Sequence, residues 1–153
     1  MRQNRRARKF VQYLVKFIGI QYHYGDDQFR GDDPIEGFDC SGLVTEGLRA
    51  IGELKWNQRF NAQMFYDRYV KDRNLVPNRT KPGCLLFFGT AIDHVSHIAI
   101  VLDRNTLLEA GGGSRDTKSK GIAAVRNAFV RLRPITYRRD LIQIADPFMY
   151  SSQ

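Results

Sequence analysis

The chain has 153 residues, of which 42% are hydrophobic and 12% aromatic, and it carries a formal net charge of +8. A chain of this length buries roughly 68–70% of its unfolded surface, enough for one core without staples. Two cysteines cannot build a disulfide framework, and no apolar run is long enough for a membrane-crossing helix, so disulfide scaffolds and helical membrane spans are excluded.

In chain order, residues 1–9 are expected to form a mobile basic tail. Phe10, Val11, Leu14, Val15 and Ile18 then recur at helical spacing, with Gly19 as the stop. Gln12, Tyr13 and Lys16 interrupt this apolar face, which makes it a domain helix and not a signal peptide. Residues 21–38 read as a Gly- and Asp-rich loop. The next helix opens at Cys40: Asp39 is a good N-cap, Leu43, Val44, Leu48 and Ile51 supply the apolar face, and Gly52 is placed to end it. A further helix is predicted over 58–71, with Phe60 and Met64, then Phe65 and Tyr69, as i, i+4 pairs. Beyond Phe88, strands are predicted over 95–102, 106–110, 122–125, 129–133 and 141–144, with a flexible loop from Gly111 to Lys120. Helices first and antiparallel strands after make an α+β fold, read as one domain over residues 1–153.

Cys40 stands where a cysteine becomes a nucleophile, at the positive end of a helix dipole. A buried, inert thiol behind a cap is the bland alternative, and only a partner base overturns it. His97 offers one, because it interrupts the apolar, β-branched run of residues 95–102, which reads as a strand buried on both faces. Alone it could equally be a core histidine bonded to a carbonyl. Residues 103–105 form a turn by composition, and the returning strand carries Glu109. A turn centred on Asp103 sets His97 and Glu109 face to face, and one centred on Arg104 makes them diagonal neighbours; glutamate and imidazole can meet in either register. Such a carboxylate keeps one ring nitrogen protonated and leaves the other to act as base.

The stretches Gly19 to Gly25, Phe38 to Val44, Lys81 to Phe88 and His97 to Ile100 together resemble, in order, the signature of the NlpC family of cell-wall cysteine peptidases. They are similar to the family's Gly-x-Pro-Tyr-x-x-Gly-Gly, Asp-Cys-Ser-Gly, Pro-Gly-Asp-Leu-x-x-Phe and His-Val-Gly-Ile segments, and the resemblance covers roughly residues 10 to 112. It implies a papain-like fold with the cysteine helix packed on the sheet that carries the base. It also implies roles: Cys40 as nucleophile, His97 as general base, Glu109 as orienter, Tyr22 as an oxyanion-site hydroxyl, and Asp39 and Ser41 as substrate-binding residues. Packing under the first helix explains Tyr22 nearly as well, and capping explains Asp39 and Ser41 equally well. Asp26, Cys84, Ala99, Val101 and Asp103 depart from the family pattern without removing a catalytic group.

Cys40, Cys84, His23, His94 and His97 show no close metal-ligand spacing, so neither metal nor cofactor is expected. Basic residues gather at both ends, while Asp26, Asp27, Asp32, Asp33, Glu36 and Asp39 precede the thiol, and no interleaving of aromatics and arginines suggests a nucleic-acid module. The reaction implied is hydrolysis of peptidoglycan stem peptides, at the bond between D-glutamate and the following diamino acid. An amidase or acyltransferase using the same Cys-His pair, or a non-catalytic module of the same fold, are the competing readings. With neither signal peptide nor membrane span, a phage lysin, a virion-associated hydrolase with an assembly partner, or a mature exported fragment is expected.

Overall fold

A computed structural model describes residues 4–20, 22, 38–112 and 128–150. The predicted strand at 122–125, the Gly-rich loop beyond Gly112 and nearly all of the acidic stretch before Phe38 lie outside the described residues.

Helix α1 spans Arg5–Leu14, followed by one 3-10 turn, Val15–Phe17. It starts earlier than the apolar periodicity suggests, so residues 5–9, expected as a mobile tail, are helical. Two local causes account for the earlier start. The Asn4 side chain accepts hydrogen bonds from the backbone N–H groups of Arg6 and Ala7, capping the helix. Ala7 is itself buried, extending the face formed by Phe10 and Leu14 by one turn.

Helix α2, Cys40–Ala50, begins and ends as the sequence suggests. Asp39 caps it, and Gly52 takes the left-handed conformation (φ 77°) that lets the chain turn away. Leu43, Val44 and Leu48 are fully buried, each contributing about 1.5–3 kcal/mol of transfer free energy. Gly47 lies where α1 crosses, against Phe10 and Leu14.

Helix α3 is shorter than expected, Ala62–Tyr66, continuing as a π-helical segment, Asp67–Asp72. Asn61 sets its start by accepting from the Met64 N–H. Phe60 therefore precedes the helix and packs edge-on against Phe65, leaving Met64 exposed, while Phe65 and Tyr69 stack as expected.

Five strands form one antiparallel sheet in the order β4-β3-β2-β1-β5: β1 Leu85–Ala91, β2 His94–Asp103, β3 Thr106–Gly111, β4 Phe129–Pro134 and β5 Leu141–Ala145. The α+β fold class expected from the sequence is the one observed. Alternation along the strands divides the core. Leu85, Phe87, Ile98, Ile100, Leu108 and Ala110 face the helices, whereas Cys84, Leu86, Phe88, Ala99, Val101 and Leu107 form a second cluster on the other face. Both faces of β2 are thus covered, which is why its centre reads as an unbroken apolar run. Among the described residues, no helix is long and apolar enough to cross a membrane.

Candidate active site

Cys40 is the first residue of α2. Its approach is fixed by Asp39, whose carboxylate accepts from the Gly42 N–H at 2.6 Å and from the Ser41 hydroxyl at 3.4 Å. The cap thus accounts for the placement of both Asp39 and Ser41. The thiol is half-buried and lines the same cavity as His97, which is only 9% exposed.

Cross-strand register brings His97 to Glu109. Ile100 pairs with Leu108 and Val101 with Leu107, the register centred on Arg104, so that the two residues are diagonal neighbours on one face. His97 Nε2 lies 2.7 Å from Glu109 Oε1. An imidazole whose Nε2–H is held by a carboxylate keeps Nδ1 for the thiol.

Glu109 is fully buried and amply partnered. The Arg131 Nε–H donates to Oε2 at 3.0 Å, and the Tyr137 hydroxyl donates to the two carboxylate oxygens at 2.6 and 2.8 Å. Burial by itself would raise the pKa of this carboxyl group, but the bonds from His97, Tyr137 and Arg131 hold it down at about 2. Burial likewise opposes protonation of His97, and its contacts with Cys40 and Glu109 outweigh that cost, lifting its pKa to about 9. Burial and the Glu109 charge both raise the Tyr137 hydroxyl above its ordinary range, so it remains a donor.

These groups open onto a cavity of about 160 Å³ lined by Tyr22, Cys40, His97, Arg131, Tyr137 and Arg138. Tyr22 is buried beside Cys40; its backbone pairs with Phe38, and its N–H donates to the Ala128 carbonyl at 3.0 Å. Of the residues singled out in the sequence, Cys40, His97, Glu109 and Tyr22 converge, whereas Asp39 and Ser41 stay at the helix cap outside the cavity wall. Arg138 spreads over the Phe88 ring, 5.1 Å from its centroid, and is clamped by Asp140. Among the described residues, no group of three or more His, Cys, Asp or Glu side chains is arranged to hold a metal.

Arg131, Tyr137, Arg138 and Gly111 escaped the sequence reading. Residues 112–128 separate β3 from β4, with no short turn to set the register, so nothing local signals that Arg131 faces Glu109. Gly111 had a faint signal as the first of three glycines. A Cβ at this position would sit 2.9 Å from Glu109 Cδ and 3.0 Å from Arg131 Nε, so the strand passes the carboxylate too closely for a side chain.

A model of the NlpC/P60 family matches residues 19–134. Over 119 residues the chain is 29% identical to the peptidoglycan endopeptidase RipB of Mycobacterium tuberculosis, an alignment covering 71% of this chain and 46% of that protein. It is also 29% identical over 111 residues to the gamma-DL-glutamyl hydrolase of Bacillus subtilis, covering 71% and 24%. The chain thus spans half or less of the length of these curated relatives. Among solved structures, RipD of Mycobacterium tuberculosis, described as a non-catalytic NlpC/p60 domain protein adapted to peptidoglycan binding, superposes with a TM-score of 0.63 at 16% identity, covering 94% of this chain and 98% of that one. The RipB structure gives 0.60 at 23%, covering 95% and 67%. The fold is the papain-like α+β fold that the sequence motifs implied.

Proposed function

The chain belongs to the NlpC/P60 family, and on that premise we propose that it is a cysteine endopeptidase of the peptidoglycan stem peptide, cutting between D-glutamate and the following diamino acid. This reading rests on His97, which lines one cavity with the Cys40 thiol and is bound to the buried Glu109 carboxylate. The names of the two curated relatives, a peptidoglycan endopeptidase and a gamma-glutamyl hydrolase, support both the reaction class and the bond. Arg138, which lines the same cavity as the thiol while its Nε and one Nη hold Asp140, suits the free α-carboxylate that a γ-linked glutamate presents.

The chemistry then runs in two halves. Cys40 Sγ, its proton on His97, attacks the amide carbonyl. The backbone N–H at the start of α2 and the Tyr22 hydroxyl are suited to receive the oxyanion. His97 returns the proton to the departing amine as the C–N bond breaks, leaving a thioester on Cys40. Water, deprotonated by His97, attacks that thioester, and the C–S bond breaks to release the acid and restore the pair. Glu109 keeps its charge throughout and holds the imidazole in place.

The likeness to RipD favours a second reading, a peptidoglycan-binding domain without catalysis. Incubation with peptidoglycan sacculi separates the two. Release of soluble peptides by the wild type, abolished in Cys40→Ala and His97→Ala, supports the hydrolase. Sedimentation with sacculi and no release in any of the three would establish binding alone. A third, an amidase or acyltransferase with the same pair, is recognised by transfer of the acyl group to an added amine instead of water.

A further inference from the structure

Glu109 sits in a row of side chains that crosses four strands on one sheet face. Phe88 of β1 pairs directly with His97 of β2, His97 is diagonal to Glu109 of β3, and Glu109 pairs directly with Arg131 of β4. Tyr137 reaches the same carboxylate from beyond β4, where its N–H donates to the Pro134 carbonyl and pins the turn. Both carboxylate oxygens are therefore occupied, one by His97 and Tyr137, the other by Arg131 and Tyr137.

A carboxylate held by imidazole alone could rotate about its side-chain bonds and would bury a charge against a ring that changes protonation state during turnover. Arg131 supplies a permanent cation, so a thiolate, an imidazolium, a carboxylate and a guanidinium sum to zero charge. Tyr137 bridges the two oxygens and fixes the carboxylate plane. Gly111 leaves the room in which these groups meet.

We propose that Arg131 and Tyr137 are positioning residues for the Cys40–His97 pair, acting through Glu109 to hold the Nε2–H of His97 and turn Nδ1 toward the thiol. The proposal rests on the Cys40–His97 chemistry put forward above. Among the described residues, the groups around His97 are Tyr22, Cys40 from α2, Phe88 from β1, Glu109 from β3, Arg131 from β4, and Tyr137, Arg138 and Asp140 from the segment between β4 and β5. Within this set, only Arg131 and Tyr137 touch the carboxylate besides His97.

The test is the rate of Cys40 alkylation by iodoacetamide across pH, followed by peptide mass spectrometry, with a melting curve for each protein. Wild type should show an upper inflection that vanishes in His97→Ala; its absence from wild type would refute the Cys40–His97 reading itself and the proposal with it. Given that inflection, Tyr137→Phe and Arg131→Gln should each slow alkylation below it by roughly tenfold, the scale of one hydrogen bond to a charged group. Arg131→Gln should also move the inflection to higher pH, because a cation opposing protonation of His97 has gone. Arg131→Lys should restore the inflection but not the full rate, since it returns the charge without the fixed guanidinium geometry. If Arg131→Gln does not fold, Tyr137→Phe and Arg131→Lys decide by the same criteria. Variants that melt earlier yet keep the wild-type rate and inflection would overturn the proposal.

Discussion

Arg131 faces Glu109 directly across β3 and β4, and its Nε–H donates to the Glu109 carboxylate at 3.0 Å. Neither charge has much water: Glu109 is fully buried, and the Arg131 side chain is only 15% exposed. Removing one member of such a pair strands the other. Glu109→Ala is expected to lose about 3–5 kcal/mol of stability in urea unfolding. Glu109→Gln, which keeps the volume and can still accept a hydrogen bond, should lose clearly less.

The His97–Glu109 pair also sets a pH window for stability. His97, raised from 6.5 to about 9 in the folded state, contributes stability that is full below about 6.5 and is lost as pH rises through 9. Glu109, lowered from 4.5 to about 2, contributes stability that is present above about 4.5 and lost as pH falls through 2. Their joint contribution is therefore largest between about 4.5 and 6.5. Melting temperatures measured from pH 4 to 10 should fall more steeply above 6.5 in wild type than in His97→Gln.

Gly111 is required by contact, not by backbone conformation. In Gly111→Ala the new methyl group must displace Glu109 or Arg131, at a cost of about 1–3 kcal/mol, as for other overpacked sites. A displaced orienter misaligns the imidazole, and shifts of this kind lower rates by up to about 100-fold. Peptide hydrolysis per folded molecule should fall even where the melting curve shows most of the protein folded.

Gly47 provides the contrasting case. A Cβ there would lie 2.8 and 2.9 Å from the two terminal carbons of Leu14, which is fully buried and cannot give way. Overpacking costs about 1–3 kcal/mol, while alanine gains about 1 kcal/mol in helix propensity. Gly47→Ala should therefore be destabilised by up to about 2 kcal/mol in urea, with the hydrolysis rate per folded molecule unchanged because the site lies elsewhere.

The two cysteines should differ sharply toward alkylating agents. Cys84 is fully buried in the second core cluster, and burial pushes its thiol up to about 11. Cys40 lines the cavity. Iodoacetamide at neutral pH should modify Cys40 in the native protein and reach Cys84 only after unfolding, as read by peptide mapping.

What the sequence made legible was local. A cap, an apolar face and a terminal glycine define α2 within about a dozen residues. A short turn, expected over 103–105 and found over 104–105 because Asp103 pairs with Thr106, leaves few registers for β2 and β3, and the two weighed both join His97 to Glu109. The Arg104-centred register is the one adopted. What stayed hidden depends on distant pairing. The start of α1 hinges on Ala7 finding cover in the core, which a run of arginines disguises. Arg131 and Tyr137 reach Glu109 only because β4 adds to the sheet edge after a long connection, and no periodicity encodes that register. The shortening of α3 reflects Asn61 winning the cap, a choice open to several residues in that stretch.

The most direct measurement is digestion of a defined stem peptide, L-Ala-γ-D-Glu joined to a diamino acid, by the wild-type protein and Cys40→Ala, with products identified by mass spectrometry. The wild type should release L-Ala-D-Glu and a diamino-acid fragment, and the variant should leave the peptide intact. An intact peptide with wild-type protein whose Cys40 still reacts with iodoacetamide, or equal cleavage by both proteins, would contradict the proposed function.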